Sequence, residues 1–253
     1  MFNKQKLEEF SVQKDILFAK DSAYWMKEGF QETGKAEAER VNLLASFINE
    51  NHVKSAEAEK TKILDLGCGR GRLAQGLITT EEKDYFHYVG VDINEEDIAY
   101  CKNTAVENDF EFHHFDMNNS MYNADGTKCD ELEFPYKGKP FDIIYSWSVF
   151  SHLEPSDIDY YLGLYRSLLK PTGIVFVTFI ADKKCVENPT YNPEWWTFEG
   201  GGKILEGAPK LMVVAYHPDW IKNKFREFGY KIQFEHYPIL ASNYQTGYYL
   251  TVE

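Results

Sequence analysis

The tightest constraint on this chain is a short run, Asp65-Leu66-Gly67-Cys68-Gly69-Arg70-Gly71. It ends the apolar stretch Lys62–Leu66 and precedes a helical pattern from Arg72 to Thr79. An apolar run closed by glycines reads as a buried strand. Glycines between a strand and a helix let the backbone turn tightly and approach a ligand with no Cβ in the way. A G-x-G pair by itself is weak evidence. Here a second strand, Tyr88–Asp92, ends in an acid 25 residues after Gly67. That is close to the spacing of a carboxylate that takes ribose hydroxyls. Strand, glycine loop, helix, strand and acid together point to a ligand of adenosine type.

The spacing narrows the ligand further. A dinucleotide loop reads G-x-G-x-x-G, and its third glycine would fall at position 72, which is arginine. Asp65, two residues before the first glycine, is a poor neighbour for a pyrophosphate. It suits a cationic group such as an amine or a sulfonium. The phosphate-loop pattern G-x-x-x-x-G-K-[ST] does not occur, which argues against a nucleotide triphosphatase.

Strand and helix patterns alternate beyond the loop. Phe110–Phe115, Phe141–Trp147, Ile174–Ile180, Lys231–Tyr237 and Tyr248–Val252 read as strands. Asn94–Glu107 reads as a helix with Asn94 as its N-cap, Pro155–Lys170 as a helix stopped by Pro171-Thr-Gly173, and Pro218–Phe228 as a helix stopped by Gly229. Alternation of this kind predicts an α/β, doubly wound, mainly parallel sheet covered on both faces. Residues 1–60 read as an N-terminal helical cover, with Ala38, Val41, Leu44, Ala45 and Ile48 at helical spacing and Gly29 and Gly34 as interruptions. Residues 61–253 read as one sheet domain. Met117–Pro140, a polar loop, and 182–215, an insertion rich in aromatics and glycine, fit the alternation poorly.

Charge bounds the partners. The formal net charge is −13, from 27 basic and 40 acidic side chains, and residues 81–142 hold 16 of the acids against 5 bases. An acidic chain repels polyphosphate, so no nucleic-acid partner is expected. The four cysteines form no C-x-x-C pair and have no histidines at zinc spacing, so neither a metal nor a disulfide framework is expected. The opening MFNKQKLEEF carries no apolar leader and no apolar run approaches a membrane span, which predicts a cytoplasmic protein without a membrane span.

Residues Ile63–Leu77 (ILDLGCGRGRLAQGL) resemble the first motif of the class I S-adenosylmethionine-dependent methyltransferases. The resemblance continues through VGVDIN (89–94), FHHFDM (112–117), FDIIYSWSVFSHL (141–153) and YRSLLKPTGIVFVTFI (165–180), in family order. It implies a Rossmann-like seven-stranded sheet whose last strand is antiparallel, with S-adenosylmethionine as cofactor and S-adenosylhomocysteine as product. It also implies residue roles. Gly67, Cys68, Gly69 and Gly71 would shape the loop around the methionine part, and Asp65 would hold its amino group. Asp92 would take the ribose hydroxyls, with Ile93 beside it. Asp116 would accept from the adenine amino group, with Met117 against the ring. Ser146 and Trp147 would border the reacting methyl. For each acid the alternative is a helix cap or a solvated loop residue.

Methyl transfer is an in-line displacement at an already activated carbon, so the protein mainly aligns the reactants. A hydroxyl acceptor is helped by a general base. His152, just after the predicted fourth strand, is the candidate base, against the plainer reading of a packed histidine. Glu154, His113 and His114 are weaker candidates. Tyr24 and Trp25, with Arg40, can close one side of the acceptor site. Tyr191, Trp195 and Trp196, near Gly200-Gly201-Gly202, can form a mobile aromatic lid or a hairpin on the sheet edge, and His217 can face the site from beyond them. Ser146-Trp147 and Asp182-Lys183 stand where the metal-dependent catechol enzymes place their ligands, and SWSV is not the Pro-Pro-aromatic motif of DNA amino-methyltransferases. A small-molecule acceptor, methylated at oxygen, is expected. The overall look resembles small bacterial enzymes that modify capsule or other surface-glycan precursors, on sugar, nucleotide-linked or phosphoramidate oxygens. A non-catalytic S-adenosylmethionine-binding scaffold and an aminopropyl transferase are the alternatives.

Overall fold

The computed structural model describes residues 5, 6, 9, 29–48, 59–105, 107, 109–181, 196–199, 202–205, 211–236 and 245–253. In chain order the elements are α1 (Gly29–Ile48), β1 (Thr61–Leu66), α2 (Arg72–Ile78), β2 (Phe86–Asp92), α3 (Glu95–Thr104), β3 (Phe110–His114), β4 (Phe141–Ser146), α4 (Pro155–Leu168) and β5 (Leu169–Ile180). They continue with β6 (Trp196–Glu199), β7 (Gly202–Leu205), β8 (Val214–Tyr216), α5 (Pro218–Glu227), β9 (Tyr230–His236) and β10 (Gln245–Val252).

Strands β3-β2-β1-β4-β5 lie side by side and run parallel, and β10 pairs antiparallel with both β5 and β9. These are the seven expected strands, with the last one reversed. The chain leaves β1 towards β2 and β3, then returns to place β4 on the other side of β1. The β1/β4 boundary is therefore the point where strand order reverses, and in open α/β sheets ligands bind outside the carboxyl ends of the strands there.

The insertion extends the sheet. β6 and β7 form an antiparallel hairpin, β7 pairs antiparallel with β8, and β8 joins the end of β5 through Ile180 and Ala215. Among the described residues the sheet has ten strands where seven were expected, and 196–199 with 202–205 adopt the hairpin, one of the two readings of the insertion. Helix α4 also ends earlier than expected. Its last residue is Leu168, and β5 begins at once with Leu169, so Pro171 and Gly173 lie within the strand.

Alternation along the strands divides the core into two layers. Leu64, Leu66, Val89, Val91, Ile144, Val175 and Val177 pack with Ile158, Tyr161 and Leu162 of α4 and Ile221 and Phe225 of α5. Ile63, Tyr88, Ile143, Tyr145, Ile174 and Phe176 pack on the opposite face with α1, α2 and α3, through Val41, Leu44, Leu73, Leu77 and Ile98. The N-terminal helix α1 thus shares its core with the sheet.

Gly34, an expected interruption, lies inside continuous α1. Its role is close approach to α2. A Cβ on Gly76 would sit 1.9 Å from the Gly34 carbonyl oxygen, and a Cβ on Gly34 would sit 2.5 Å from the Arg72 carbonyl oxygen. Neither backbone can yield cheaply. Gly76→Ala is therefore expected to destabilise the protein by about 3 kcal/mol, the upper part of the overpacking range. Gly163→Ala in α4 meets only Phe228 Cε1, at 3.6 Å, and is expected to be neutral or to stabilise by up to about 1 kcal/mol through helix propensity. Urea unfolding of the two variants checks both; equal effects would contradict the close helix crossing.

Candidate functional site

The glycine loop is fixed by the end of β2. The N–H groups of Gly67 and Cys68 both donate to the Val91 carbonyl, at 2.8 and 3.2 Å. Gly69 N–H donates to Asp92 Oδ2 at 2.7 Å, and Asn94 N–H donates to Asp92 Oδ1 at 2.9 Å. One carboxylate therefore ties the loop after β1 to the start of α3, where Asn94 caps the helix by accepting from Asp97 N–H. Burial pushes the Asp92 pKa up, and the backbone donors of Asn94, Gly69 and Ile93 oppose that shift. A carboxylate offers about four lone-pair sites, so acceptor capacity remains for a ligand. Gly67 has φ +83°, and a Cβ there would sit 2.2 Å from Val149 Cγ2. The Val149 side chain, from the segment after β4, thus fills the space that a side chain on the loop would need.

Two cavities meet at this loop. The larger, about 330 Å³, is lined by Gly67, Gly69, Asp92, Ile93 and Asn94 from the loop and the end of β2. Met117, Asn119 and Tyr122 line it from the segment after β3, and Trp147, Ser148 and His152 from the segment after β4. The smaller, about 170 Å³, is lined by Glu37, Asp65, Cys68, Arg70 and Arg72, and shares Gly67, Gly69 and Trp147 with the first.

The smaller cavity follows from strand alternation. Asp65 lies on the same face of β1 as Ile63, the face covered by α1 and α2. Its Oδ2 accepts from Tyr88 O–H at 2.6 Å. Burial pushes its pKa up to about 7, with the Tyr88 hydrogen bond opposing that shift and Glu37 adding to it. Glu37 of α1 is 2 % exposed. It pairs with Arg72 at 2.7 Å, and burial raises its pKa as well. Arg40, equally buried, donates to Tyr145 O–H oxygen at 3.3 Å and lies over the Trp147 and Phe176 rings. Glu37 and Arg72 carry no role in the sequence reading. The available signal is that Glu37 and Arg40 interrupt the apolar stripe of α1, and that Arg72 stands at the place of a third glycine.

The larger cavity holds His152, at the end of a 3₁₀ turn, Phe150–His152. Its Nδ1 lies 3.1 Å from the Leu211 carbonyl. A carbonyl only accepts, so Nδ1 carries the proton and Nε2 keeps its lone pair. Burial lowers the His152 pKa, with the backbone of Leu211 and Met212 opposing, so the imidazole is neutral at pH 7. Tyr122 packs edge-on at 5.2 Å between ring centres. Asn119 donates to the His152 carbonyl at 3.0 Å and accepts from the N–H groups of Met121 and Tyr122. The polar loop after β3, which fits no strand or helix pattern, thus builds one wall of the cavity.

Backbone strain gathers around His152. Ser148 (φ 59°) and Leu211 (φ 67°) are the two non-glycine residues with positive φ among the described residues. A left-handed conformation costs such residues about 1–3 kcal/mol each. One lines the cavity and the other holds the imidazole.

Several expected site residues stand elsewhere. Asp116 is exposed, and its two oxygens accept from Asn123 Nδ2 and Thr127 Oγ1, both at 3.0 Å. These bonds lower its pKa and brace the loop, and Asp116 does not line the cavity. Met117 beside it does. Ser146 is fully buried on the α4 face, where its hydroxyl donates to the Leu66 carbonyl at 3.0 Å and ties β4 to β1. It lines neither cavity, whereas Trp147, one residue on, lines both. Gly71 caps α2 in a left-handed conformation rather than facing a cavity. His217 caps α5, its Nδ1 accepting from Asp219 N–H at 3.2 Å, and does not line the cavity. Trp196 opens β6; its side chain, like Tyr24, Trp25, Tyr191 and Trp195 as a whole, lies outside the described residues. Among the described residues no group of three or more His, Cys, Asp or Glu side chains is placed to hold a metal, and no helix is long and apolar enough to cross a membrane.

Known proteins resemble the chain at three levels. A family model described as "Methyltransferase domain" matches residues 57–223. The ubiquinone biosynthesis O-methyltransferase of Bartonella tribocorum is 26 % identical over 162 residues, covering 64 % of this chain and 56 % of that protein. The fatty-acid O-methyltransferase of Mycolicibacterium smegmatis is 25 % identical over 179 residues, covering 70 % and 54 %. The chain spans about half the length of the curated relatives it matches. Among solved structures, an S-adenosylmethionine-dependent methyltransferase from Clostridium acetobutylicum has TM-score 0.55 at 12 % identity, covering 99 % of both chains. The magnesium protoporphyrin IX methyltransferase of Synechocystis PCC 6803, solved with S-adenosylhomocysteine, has TM-score 0.56 at 10 % identity, covering 99 % and 96 %. These structures share the fold. With the family model spanning most of the sheet and the whole of the glycine loop, the chain belongs to the methyltransferase-domain family of the class I fold.

Proposed function

We propose that the protein transfers a methyl group from S-adenosylmethionine to an oxygen of a small molecule. The observation that carries this reading is the pair of cavities joined at Gly67, Gly69 and Trp147. Their chemistry matches the two ends of the cofactor. In the smaller, Asp65 and Glu37 suit the ammonium and Arg72 suits the carboxylate of the methionine moiety. In the larger, Asp92 is free to accept from ribose hydroxyls, and Met117 and Ile93 offer apolar contact to the adenine ring. The sulfonium then lies where the cavities meet, with His152 on the wall of the larger.

Oxygen is favoured as acceptor because a neutral imidazole with a free Nε2 lone pair suits removal of a hydroxyl proton. As the acceptor O–H breaks towards Nε2, the oxygen attacks the methyl carbon, and the carbon–sulfur electron pair returns to sulfur. The named relatives include O-methyltransferases of ubiquinone biosynthesis and of fatty acids. Tyr122 and Met212 are exposed apolar side chains beside His152 and its anchor Leu211. They favour an acceptor with an apolar ring or chain. A capsule or surface-glycan precursor keeps only the general likeness noted from the sequence.

Two outcomes test the reading. His152→Ala is expected to lower kcat by about 10²–10⁴-fold while S-adenosylhomocysteine still binds. At saturating cofactor, wild-type kcat should fall at acid pH, below the ordinary histidine value, as the imidazole protonates. Turnover unchanged in the variant removes His152 as the base. Separately, Asp65 must be ionised to hold an ammonium. Calorimetric affinity for S-adenosylhomocysteine should weaken about tenfold per pH unit below the Asp65 pKa of about 7, and Asp65→Asn should abolish that slope. A flat profile in the wild type contradicts the placement of the amino group.

A further inference from the structure

Ser148 is held by two neighbours that line neither cavity. Its N–H donates to Thr178 Oγ1 at 2.7 Å, which pins the left-handed backbone at φ 59°. Its Oγ accepts from Gln245 Nε2 at 2.9 Å. Thr178 is fully buried and Gln245 is 3 % exposed. They stand on β5 and β10, where Gln245 pairs with Ile180 at the carboxyl end of β5. The Gln245 amide thus occupies the Ser148 oxygen from behind, and the Ser148 proton is left to other partners. Among the described residues it can reach Ser151 Oγ, at 3.5 Å, and that hydroxyl lies 3.4 Å from the Ser148 carbonyl, which it can use instead.

The arrangement is costly for folding alone. The far end of the Gln245 amide, Oε1, is buried with no partner among the described residues, and Ser148 adopts a backbone conformation that suits glycine. Buried amides left half satisfied and strained residues gather where a site must be aimed. Ser148, Ser151, Thr178 and Gln245 are all neutral, so the group they suit is neutral as well.

Resting on the methyltransferase reading, the geometry points to Ser148 as a specificity-determining residue. Its hydroxyl donates into the cavity to a second, uncharged oxygen of the acceptor, adjacent to the oxygen that is methylated, and Gln245 is the positioning residue that turns it there. The acceptor class is a molecule with neighbouring oxygens, such as a vicinal diol, a catechol or an α-hydroxy carbonyl compound. His152 Nε2 receives the proton from one oxygen while Ser148 holds the other.

The test uses the whole chain saturated with S-adenosylhomocysteine and a pair of probes, catechol and phenol, which differ by one adjacent hydroxyl. Calorimetry should show catechol bound at least tenfold more tightly than phenol by the wild type. Ser148→Gly suits the left-handed backbone and removes the hydroxymethyl side chain; Gln245→Leu keeps the volume and removes the amide. In both, the preference should shrink below threefold while S-adenosylhomocysteine still binds. A residue with a merely structural task would lower the thermal midpoint when replaced. Here Gln245→Leu should leave the midpoint unchanged or raise it, because the unpartnered buried oxygen is removed. A wild type that binds catechol no better than phenol, or binds neither, overturns the proposal, as does a preference that survives both substitutions. Failure to bind S-adenosylhomocysteine at all would instead remove the methyltransferase reading beneath it.

Discussion

The carboxylate of Asp92 is the interaction on which the rest of the site depends. It sits at the end of β2 and receives N–H groups from Gly69 and from Asn94. The first of these holds the glycine loop after β1, and the second sets the entry of α3. With the Val91 carbonyl receiving Gly67 and Cys68, the loop is shaped by the neighbouring strand rather than by its own contacts. The parallel β1–β2 register brings Leu66 opposite Val91, which delivers these partners to the loop. Hydrogen bonds to an ionised acceptor are the stronger kind. The same atoms leave lone pairs for a ligand, so the group that shapes the loop also faces the larger cavity.

The other end of the site is a problem of buried charge. Alternation turns Asp65 towards α1 and α2, into a layer otherwise made of Tyr88, Tyr145, Val41 and Leu73. A lone carboxylate there would be expensive. Glu37 and Arg72 beside it supply both signs of charge, and burial pushes the Asp65 pKa up to about 7. Buried ion pairs contribute little net stability once desolvation is counted. Their proposed use is ligand binding: a zwitterion entering the small cavity would meet a carboxylate pair and a guanidinium already in place. Helix α1 therefore does more than cover the sheet, and its close crossing with α2 through Gly34 and Gly76 sets where Glu37 meets Arg72.

Much of this was legible in the sequence because it is local. The glycine loop, the strand-end acid Asp92, the Asn94 cap and the alternation of strands and helices each depend on residues near one another in the chain. Trp147 and His152 were legible as residues after the fourth strand. What escaped depends on contacts that no local pattern encodes. Asp116 has the right position at the end of a strand, but it is exposed, braces its own loop through Asn123 and Thr127, and does not line the cavity. Ser146 differs from Trp147 by one residue, and one residue decides the face of a strand. Gly34 reads as a break because its reason, the carbonyl-to-glycine contact with α2, lies some forty residues away. The pairings of β8 with β5 and of Gln245 with Ser148 join segments that no periodicity connects.

A crystal structure of the protein with S-adenosylhomocysteine tests the central claim most directly. The ribose hydroxyls should donate to Asp92, the amino group should lie between Asp65 and Glu37 with the carboxylate at Arg72, and the sulfur should face the cavity wall that carries Ser148 and His152. A cofactor bound away from the glycine loop would contradict the proposed function. So would a sulfur turned away from His152, with the imidazole Nε2 closed off from the space where an acceptor must stand.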